Sequence, residues 1–339
     1  VTSGGGLRLA WFRQIWLFGK LRMTNLLILL TLPEPVRNQY RERLQARFPE
    51  LAIEMVDHHS KAGPHIPEAD ALLTFAPMLS PKVLAEATKL KWIQALGTGV
   101  DNLTDQAALR KDIIVTNVRG IHGAPVSEAA LAAMLALARN LPGAVRGQDA
   151  RQWRRWPAQL LHNKTVGIFG VGLIAEALAP KCKALGMRVV GVSSAPRDLA
   201  GFDAMCSRDE LSKVVGDFDF FVLLTPLTAS TRNSVDAKVF AALKPSSFLI
   251  NLARGGVVDE AALIAALKTG RIGGAALDVF NEEPLPADHP FWSMENVLIT
   301  THQGGFCDVY VDYALPTVEA NMKSFLAGDI GGMINIVAH

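Results

Sequence analysis

Three cysteines in 339 residues, widely spaced and without a CxxC pair, offer neither a disulfide framework nor a zinc site. Cys182, Cys206 and Cys307 suit a reducing compartment, and the expected location is the cytoplasm. Long apolar runs are missing as well. The most apolar segment, Ala129 to Ala138, is bounded by Glu128 and Arg139 and falls short of the ~20 residues that a membrane helix needs. Charge of one sign is scarce. The net charge is +2, and Arg8, Arg13, Lys20 and Arg22 supply more than all of it, leaving −2 on the remainder. Neither half carries the basic footprint of a nucleic-acid binder, so no nucleic-acid or membrane partner is expected. Residues 1–22 show no uninterrupted apolar core and no small-residue cleavage site, and read as a leader or extension outside the fold, ahead of a start at Met23.

What is present is an ordered, globular composition, 50% hydrophobic and 19% charged, with length for two domains. From Met23 onward, short apolar runs alternate with helical periodicity. Strands are expected at Asn25–Leu30, Ala52–Val56, Ala69–Phe75, Lys91–Leu96 and Ile113–Thr116. Val36, Tyr40, Leu44 and Phe48 mark one helix face, and Pro81–Thr88 reads as a further helix. A long Ala/Leu helix, Val126 to Leu141, is apolar nearly all round, which suits a domain junction or a subunit interface and suggests a homodimer. A second series follows, with strands near Val166–Phe169, Arg188–Val192, Phe218–Leu224, Ser247–Asn251, Gly274–Asp278 and Val297–Thr300. Helical patterning over 316–327 closes the chain, and its return to the first domain would make that domain discontinuous. The alternation predicts an α/β protein of two doubly wound parallel-sheet domains.

The sharpest local signal is Gly170-x-Gly172-x-x-Ala175, placed after an apolar strand and at the opening of a helix. Gly170 allows a tight turn, Gly172 lets a pyrophosphate approach the backbone, and Ala175 keeps the helix close to the sheet. The helix start, at Leu173 and Ile174, turns free N–H groups and a positive dipole end toward the phosphates. At the end of the next strand, where an acidic residue usually holds the ribose diol, stand Ser193 and Ser194, with Arg197 after them. Two hydroxyls and a guanidinium can bind a 2′-phosphate and no carboxylate repels one, so NADP(H) is favoured over NAD(H).

Ionisable residues recur at later strand ends: Asn251-Leu-Ala-Arg254-Gly255-Gly256, Asp278 followed by Glu283-Pro284, and His302-Gln-Gly304-Gly305. Together with Gly97-Thr-Gly99-Val-Asp101, Val115-Thr-Asn117, Pro125-Val-Ser-Glu128 and Thr225-Pro-Leu-Thr228, this ordered set resembles the D-isomer specific 2-hydroxyacid dehydrogenase family over most of residues 23–330.

The resemblance implies a Rossmann dinucleotide-binding domain over 120–305 and a flavodoxin-like substrate domain over 23–119 plus 306–339, with the cleft between them. It also implies an NAD(P)-dependent enzyme that moves hydride at C2 of a small 2-keto or D-2-hydroxy acid, as glyoxylate/hydroxypyruvate reductases do. Arg254 would hold the carboxylate and polarise the carbonyl, His302 would be the proton donor, and Glu283 would fix its tautomer. Thr225, Pro226 and Asp278 would lie on the cofactor side. Thr98 and Gly99 would bind the substrate carboxylate through backbone N–H groups, with Phe75 and Met78 lining the side-chain pocket. Thr301 stands where the family often has proline, and Leu173 replaces a commonly polar residue; neither change removes a chemical group. The glutamine that the formate branch carries in place of Glu283 is absent, which argues against formate. Two alternatives stay open: a family member acting on a different acid, and a dinucleotide-sensing, corepressor-like regulator.

Overall fold

The computed structural model describes residues 23–76 and 79–337; the leader reading and Met78 lie outside them. The chain divides into two compact units, 23–119 with 311–337 and 120–310.

In the first unit, β1 (Thr24–Leu29), β2 (Leu51–Val56), β3 (Ala71–Thr74), β4 (Trp92–Ala95) and β5 (Ile114–Thr116) form a parallel sheet. Helices α1 (Glu34–Arg47) and α2 (Pro81–Glu86) belong to its crossovers. The spatial order is β2-β1-β3-β4-β5, and a two-residue strand, Ile336–Val337, adds antiparallel beside β5. The order reverses between β1 and β3, the kind of switch point beside which open α/β sheets leave a crevice at the carboxyl ends of their strands. Val83 and Leu84 of α2 are buried against a core of Leu27, Leu72, Ile93 and Val115, and Ser80 caps that helix by accepting from the Val83 N–H.

The last long helix spans Tyr310–Leu326, six residues earlier than the periodicity suggests, with Pro316 inside it. A buried polar chain ties it to this sheet. Trp92 Nε1 donates to Thr116 Oγ1, and Thr116 Oγ1 and Asn321 Nδ2 both donate to Gln94 Oε1. Trp92, Thr116, Gln94 and Asn321 thereby satisfy one another, as burial of polar groups requires.

The second unit opens with α3 (Gly123–Ala138). This helix ends two residues before Asn140, whose left-handed backbone (φ 52°) and side-chain bond to the Gly143 N–H start a separate helix, α4 (Leu141–Asp149). The expected single helix to Leu141 is thus two, broken by that cap. The sheet follows: β6 (Thr165–Phe169), β7 (Arg188–Ser193), β8 (Ala204–Ser207), β9 (Phe220–Leu223), β10 (Phe248–Asn251), β11 (Gly274–Leu277) and β12 (Val297–Ile299). All seven are parallel in the order β12-β11-β10-β9-β6-β7-β8. Alternate residues feed opposite faces. Phe220 and Val222 pack with Ala130, Met134 and Leu137 of α3, whereas Phe221 and Leu223 pack with Val239, Leu263 and Leu267. Both faces are covered, and each fully buried phenylalanine contributes about 1.5–3 kcal/mol. Here the order reverses between β6 and β9, which puts the glycine turn after β6 at the switch point.

Candidate active site

The glycine turn links β6 to α5 (Leu173–Ala184). Gly170 has φ +98°, and a Cβ there would stand 2.4 Å from the Thr225 backbone nitrogen, so glycine is required for both conformation and space. Thr225 lies just past the end of β9, buried where the chain presses on the turn, and Pro226 beside it is exposed. Gly172 is the N-terminal cap of α5, is exposed, and a Cβ on it would meet nothing within 4 Å. A side chain would fill the space that a phosphate needs to reach the backbone. Leu173 is exposed, Ile174 is half-buried, and the N–H groups of this first turn have no carbonyl of their own helix to bond. Ala175 is fully buried. These residues fit a dinucleotide pyrophosphate.

At the end of β7, Ser193 is half-buried, and its Oγ accepts from the Ala195 N–H, while Ser194 and Arg197 are exposed. The Arg197 guanidinium is held by Glu176 of the first turn of α5, Nη2 to Oε1 at 3.0 Å. That carboxylate went unread in the sequence. It competes for the cation assigned to a 2′-phosphate.

Arg254, Glu283 and His302 lie in the second unit at the ends of neighbouring strands. Arg254 follows β10, and Gly255 after it is pressed against the Phe280 carbonyl, where a Cβ would come within 2.1 Å. This contact, open only to glycine, joins the Arg254 turn to the segment that carries Glu283. Arg254 Nη1 donates to the Ala253 carbonyl at 2.7 Å. Glu283 Oε1 accepts from the Phe280 N–H at 2.9 Å, and Oε2 lies 2.7 Å from His302 Nδ1. A carboxylate only accepts, so Nδ1 carries the proton and Nε2 faces the other way. Burial alone would raise the Glu283 pKa. The His302 bond, the Phe280 N–H and the charges of His302 and Arg254 outweigh it, and the carboxyl stays below its ordinary range.

His302 has a left-handed backbone, φ +51°, sparsely populated for a non-glycine residue. Asp278 holds it there. The Asp278 carbonyl accepts the His302 N–H at 2.8 Å. Its carboxylate accepts the Thr300 hydroxyl, the Gln303 N–H at 3.0 Å and the Gly304 N–H at 2.9 Å. Asp278 is 4% exposed, so its carboxylate is committed to bracing the histidine loop, a structural task beside the cofactor-side place that the resemblance implies.

A further imidazole was missed altogether. His122, just before α3, places Nε2 3.1 Å from the Tyr310 hydroxyl, and a Cβ on Gly305 would stand 3.0 Å from its ring. Burial, with the charge of Arg254 second, pushes its pKa down to about 4, so it is neutral at neutral pH. The only signal in the sequence was a histidine ahead of an apolar helix, and its partner is 188 residues away. Among the described residues no cluster of His, Cys, Asp and Glu could hold a metal ion.

The remaining expected residues belong to the first unit. Phe75, half-buried, follows β3, and exposed Thr98 and half-buried Gly99 follow β4, at carboxyl strand ends beside that sheet's own reversal.

Residues 131–304 match the family model described as D-isomer specific 2-hydroxyacid dehydrogenase, NAD binding domain. The chain is similar to D-3-phosphoglycerate dehydrogenase of Methanocaldococcus jannaschii, 36% identical over 78% of this chain and 51% of that protein; it spans about half the length of that relative. A crystal structure of a D-isomer specific 2-hydroxyacid dehydrogenase family protein from Aeromonas salmonicida superposes with a TM-score of 0.81 at 36% identity, covering 93% of this chain and 99% of that one. The NADPH-dependent glyoxylate/hydroxypyruvate reductase of Sinorhizobium meliloti, solved with NADP and sulfate, has a TM-score of 0.78 at 27% identity, with 93% and 98% covered. By sequence match and by fold, this chain belongs to the D-isomer specific 2-hydroxyacid dehydrogenase family.

Proposed function

We propose that this protein is an oxidoreductase that reduces a small 2-keto acid to the D-2-hydroxy acid, of the glyoxylate/hydroxypyruvate type, with NADP(H) as preferred cofactor. The unit 120–310 binds the dinucleotide, and the other unit binds the acid. The observation that carries this reading is the 2.7 Å contact between His302 Nδ1 and Glu283 Oε2, with the Arg254 charge acting on the same carboxyl.

Gly170, Gly172, Leu173 and Ile174 hold the pyrophosphate, Thr225 and Pro226 flank it, and Ser193, Ser194 and Arg197 take the adenosine ribose and its 2′-phosphate. When bound, the nicotinamide supplies or accepts the hydride at C2. Arg254 binds the carboxylate and draws electron density from the carbonyl through a planar, permanently charged fork. His302 delivers a proton from Nε2 to the carbonyl oxygen, while Glu283 stabilises the charged ring and fixes its orientation. In oxidation the same nitrogen takes the proton back. Thr98 and Gly99 bind the carboxylate through N–H groups, and Phe75 lines the side-chain pocket. With no charged side chain from Phe75 to Ser80, that pocket favours a small or apolar 2-substituent.

The NADP(H) preference is supported by the absence of a carboxylate at the end of β7 and by the likeness to an NADPH-dependent relative. Leu135, Leu141, Val145, Trp153 and Leu160 are exposed, a run of apolar side chains that suits a homodimer; light scattering would return twice the 36.6 kDa of the chain. The free cysteines suit a reducing cytoplasm.

The test is oxidation of NADPH and NADH with glyoxylate, hydroxypyruvate and pyruvate. Turnover with NADPH, at a kcat/KM above that with NADH, is the expected result. Tight cofactor binding with no turnover of any keto acid would point instead to a dinucleotide sensor.

A further inference from the structure

A second polar network, far in sequence from the catalytic residues, stands behind the loop that follows β4. Asn117, directly after β5, is 7% exposed and uses every polar group it has. Its Nδ2 donates to the Thr98 carbonyl at 2.8 Å, and its Oδ1 accepts the Arg119 N–H at 3.0 Å. Its backbone N–H donates to the Asn335 carbonyl at 3.2 Å, and Asn335 Nδ2 donates to the carbonyls of Asn117 at 3.3 Å and Arg119 at 3.0 Å. Asn335 has φ +57°, a conformation that asparagine tolerates, and the residues after it pair with β5, Ile336 with Thr116 and Val337 with Val115.

The consequence lies in one peptide plane. In a trans peptide the carbonyl and the following N–H point in opposite directions. Fixing the Thr98 carbonyl toward Asn117 therefore turns the Gly99 N–H away from the body of the unit, where it can donate to an anion. A free loop of Gly-Thr-Gly would rotate that plane readily, because glycine adds little steric resistance.

We propose that Asn117 is a positioning residue for substrate, fixing the Thr98–Gly99 peptide so that the Gly99 N–H meets the carboxylate of the 2-keto acid, with Asn335 clamping Asn117 in place. This rests on the reading of Thr98 and Gly99 as the carboxylate-binding loop. A C-terminal segment remote in sequence thereby sets the affinity for the acid, and a carboxylate of any small 2-keto acid satisfies it.

Asn117→Ala is expected to raise KM for glyoxylate about tenfold, the loss of one hydrogen bond to a charged ligand, and to raise the inhibition constant of oxamate in parallel. The kcat stays within about threefold, and NADPH affinity by fluorescence titration is unchanged. Asn335→Gly keeps the left-handed conformation and removes only the amide; it shifts KM the same way by about threefold, and decides the matter if Asn117→Ala does not fold. Gly99→Pro deletes the N–H itself. If Gly99→Pro raises KM while the two asparagine variants leave it unchanged, the positioning role is wrong and the carboxylate loop stands. If Gly99→Pro also leaves KM unchanged, the carboxylate loop itself is refuted. A fall in melting temperature with KM unmoved would mark Asn117 as structural only and overturn the proposal.

Discussion

The two units repeat one architecture and use its carboxyl edge differently. Each is a doubly wound parallel sheet with a reversal of strand order, between β1 and β3 in the first and between β6 and β9 in the second. At the second reversal the chain sets a glycine turn against a helix start, and the neighbouring strand ends carry Arg254, Glu283 and His302. At the first, the corresponding loops offer Phe75, Gly97, Thr98 and Gly99, with no charged side chain among them. Layering and twist are shared, so the chemistry resides in the loops. One edge gathers ionisable side chains; the other, in the function proposed, would work through peptide N–H groups.

The contrast is broken most forcefully at Gly170. Gly170→Ala forces a side chain into φ +98° and into the Thr225 backbone. A loss of about 3 kcal/mol of stability is expected, with NADPH affinity falling alongside. Denaturant melts with and without cofactor measure both, and an unchanged midpoint would mean that the turn is not a backbone device.

The second test concerns the ionisable side. His122 has a folded pKa of about 4 against an ordinary 6.5. Between those values the unfolded chain binds the proton and the folded one does not. Stability therefore rises with pH through that window, is complete above about 6.5, and is lost as pH falls toward 4. The expected span is roughly 2 kcal/mol, discounted for partial exposure. His122→Gln should flatten that part of the stability profile; an identical slope in the variant would contradict it.

The smallest effect is expected at Arg197, which is exposed and shared with Glu176. Arg197→Ala should raise KM for NADPH roughly five- to tenfold, about 1 kcal/mol, and leave NADH alone. Equal effects on both cofactors would remove the 2′-phosphate assignment.

The strands were legible because buried parallel strands are short apolar runs. β8 was not, since Ala-Met-Cys-Ser is half-buried and lacks such a run, and Ile336–Val337 is a strand only by virtue of its partner. The break after α3 was written in Asn140 and Pro142, a cap and a first-turn proline, but the surrounding Ala/Leu pattern hid it. Within the site, Arg254, Glu283 and His302 could be named because their order resembles a family pattern. His122 could not, because Tyr310 and Arg254 meet it only through the fold. The bracing by Asp278 rests on N–H groups of residues 303 and 304, and no side-chain pattern announces a backbone donor.

The central claim is that the imidazole held by Glu283 is the proton donor. It is tested most directly by the single-turnover rate of NADPH oxidation by glyoxylate in His302→Ala, with cofactor binding followed in the same sample. The expected result is a rate lower by on the order of a hundred-fold or more, with NADPH affinity intact. A rate within a few-fold of the parent, at full cofactor occupancy, would contradict it.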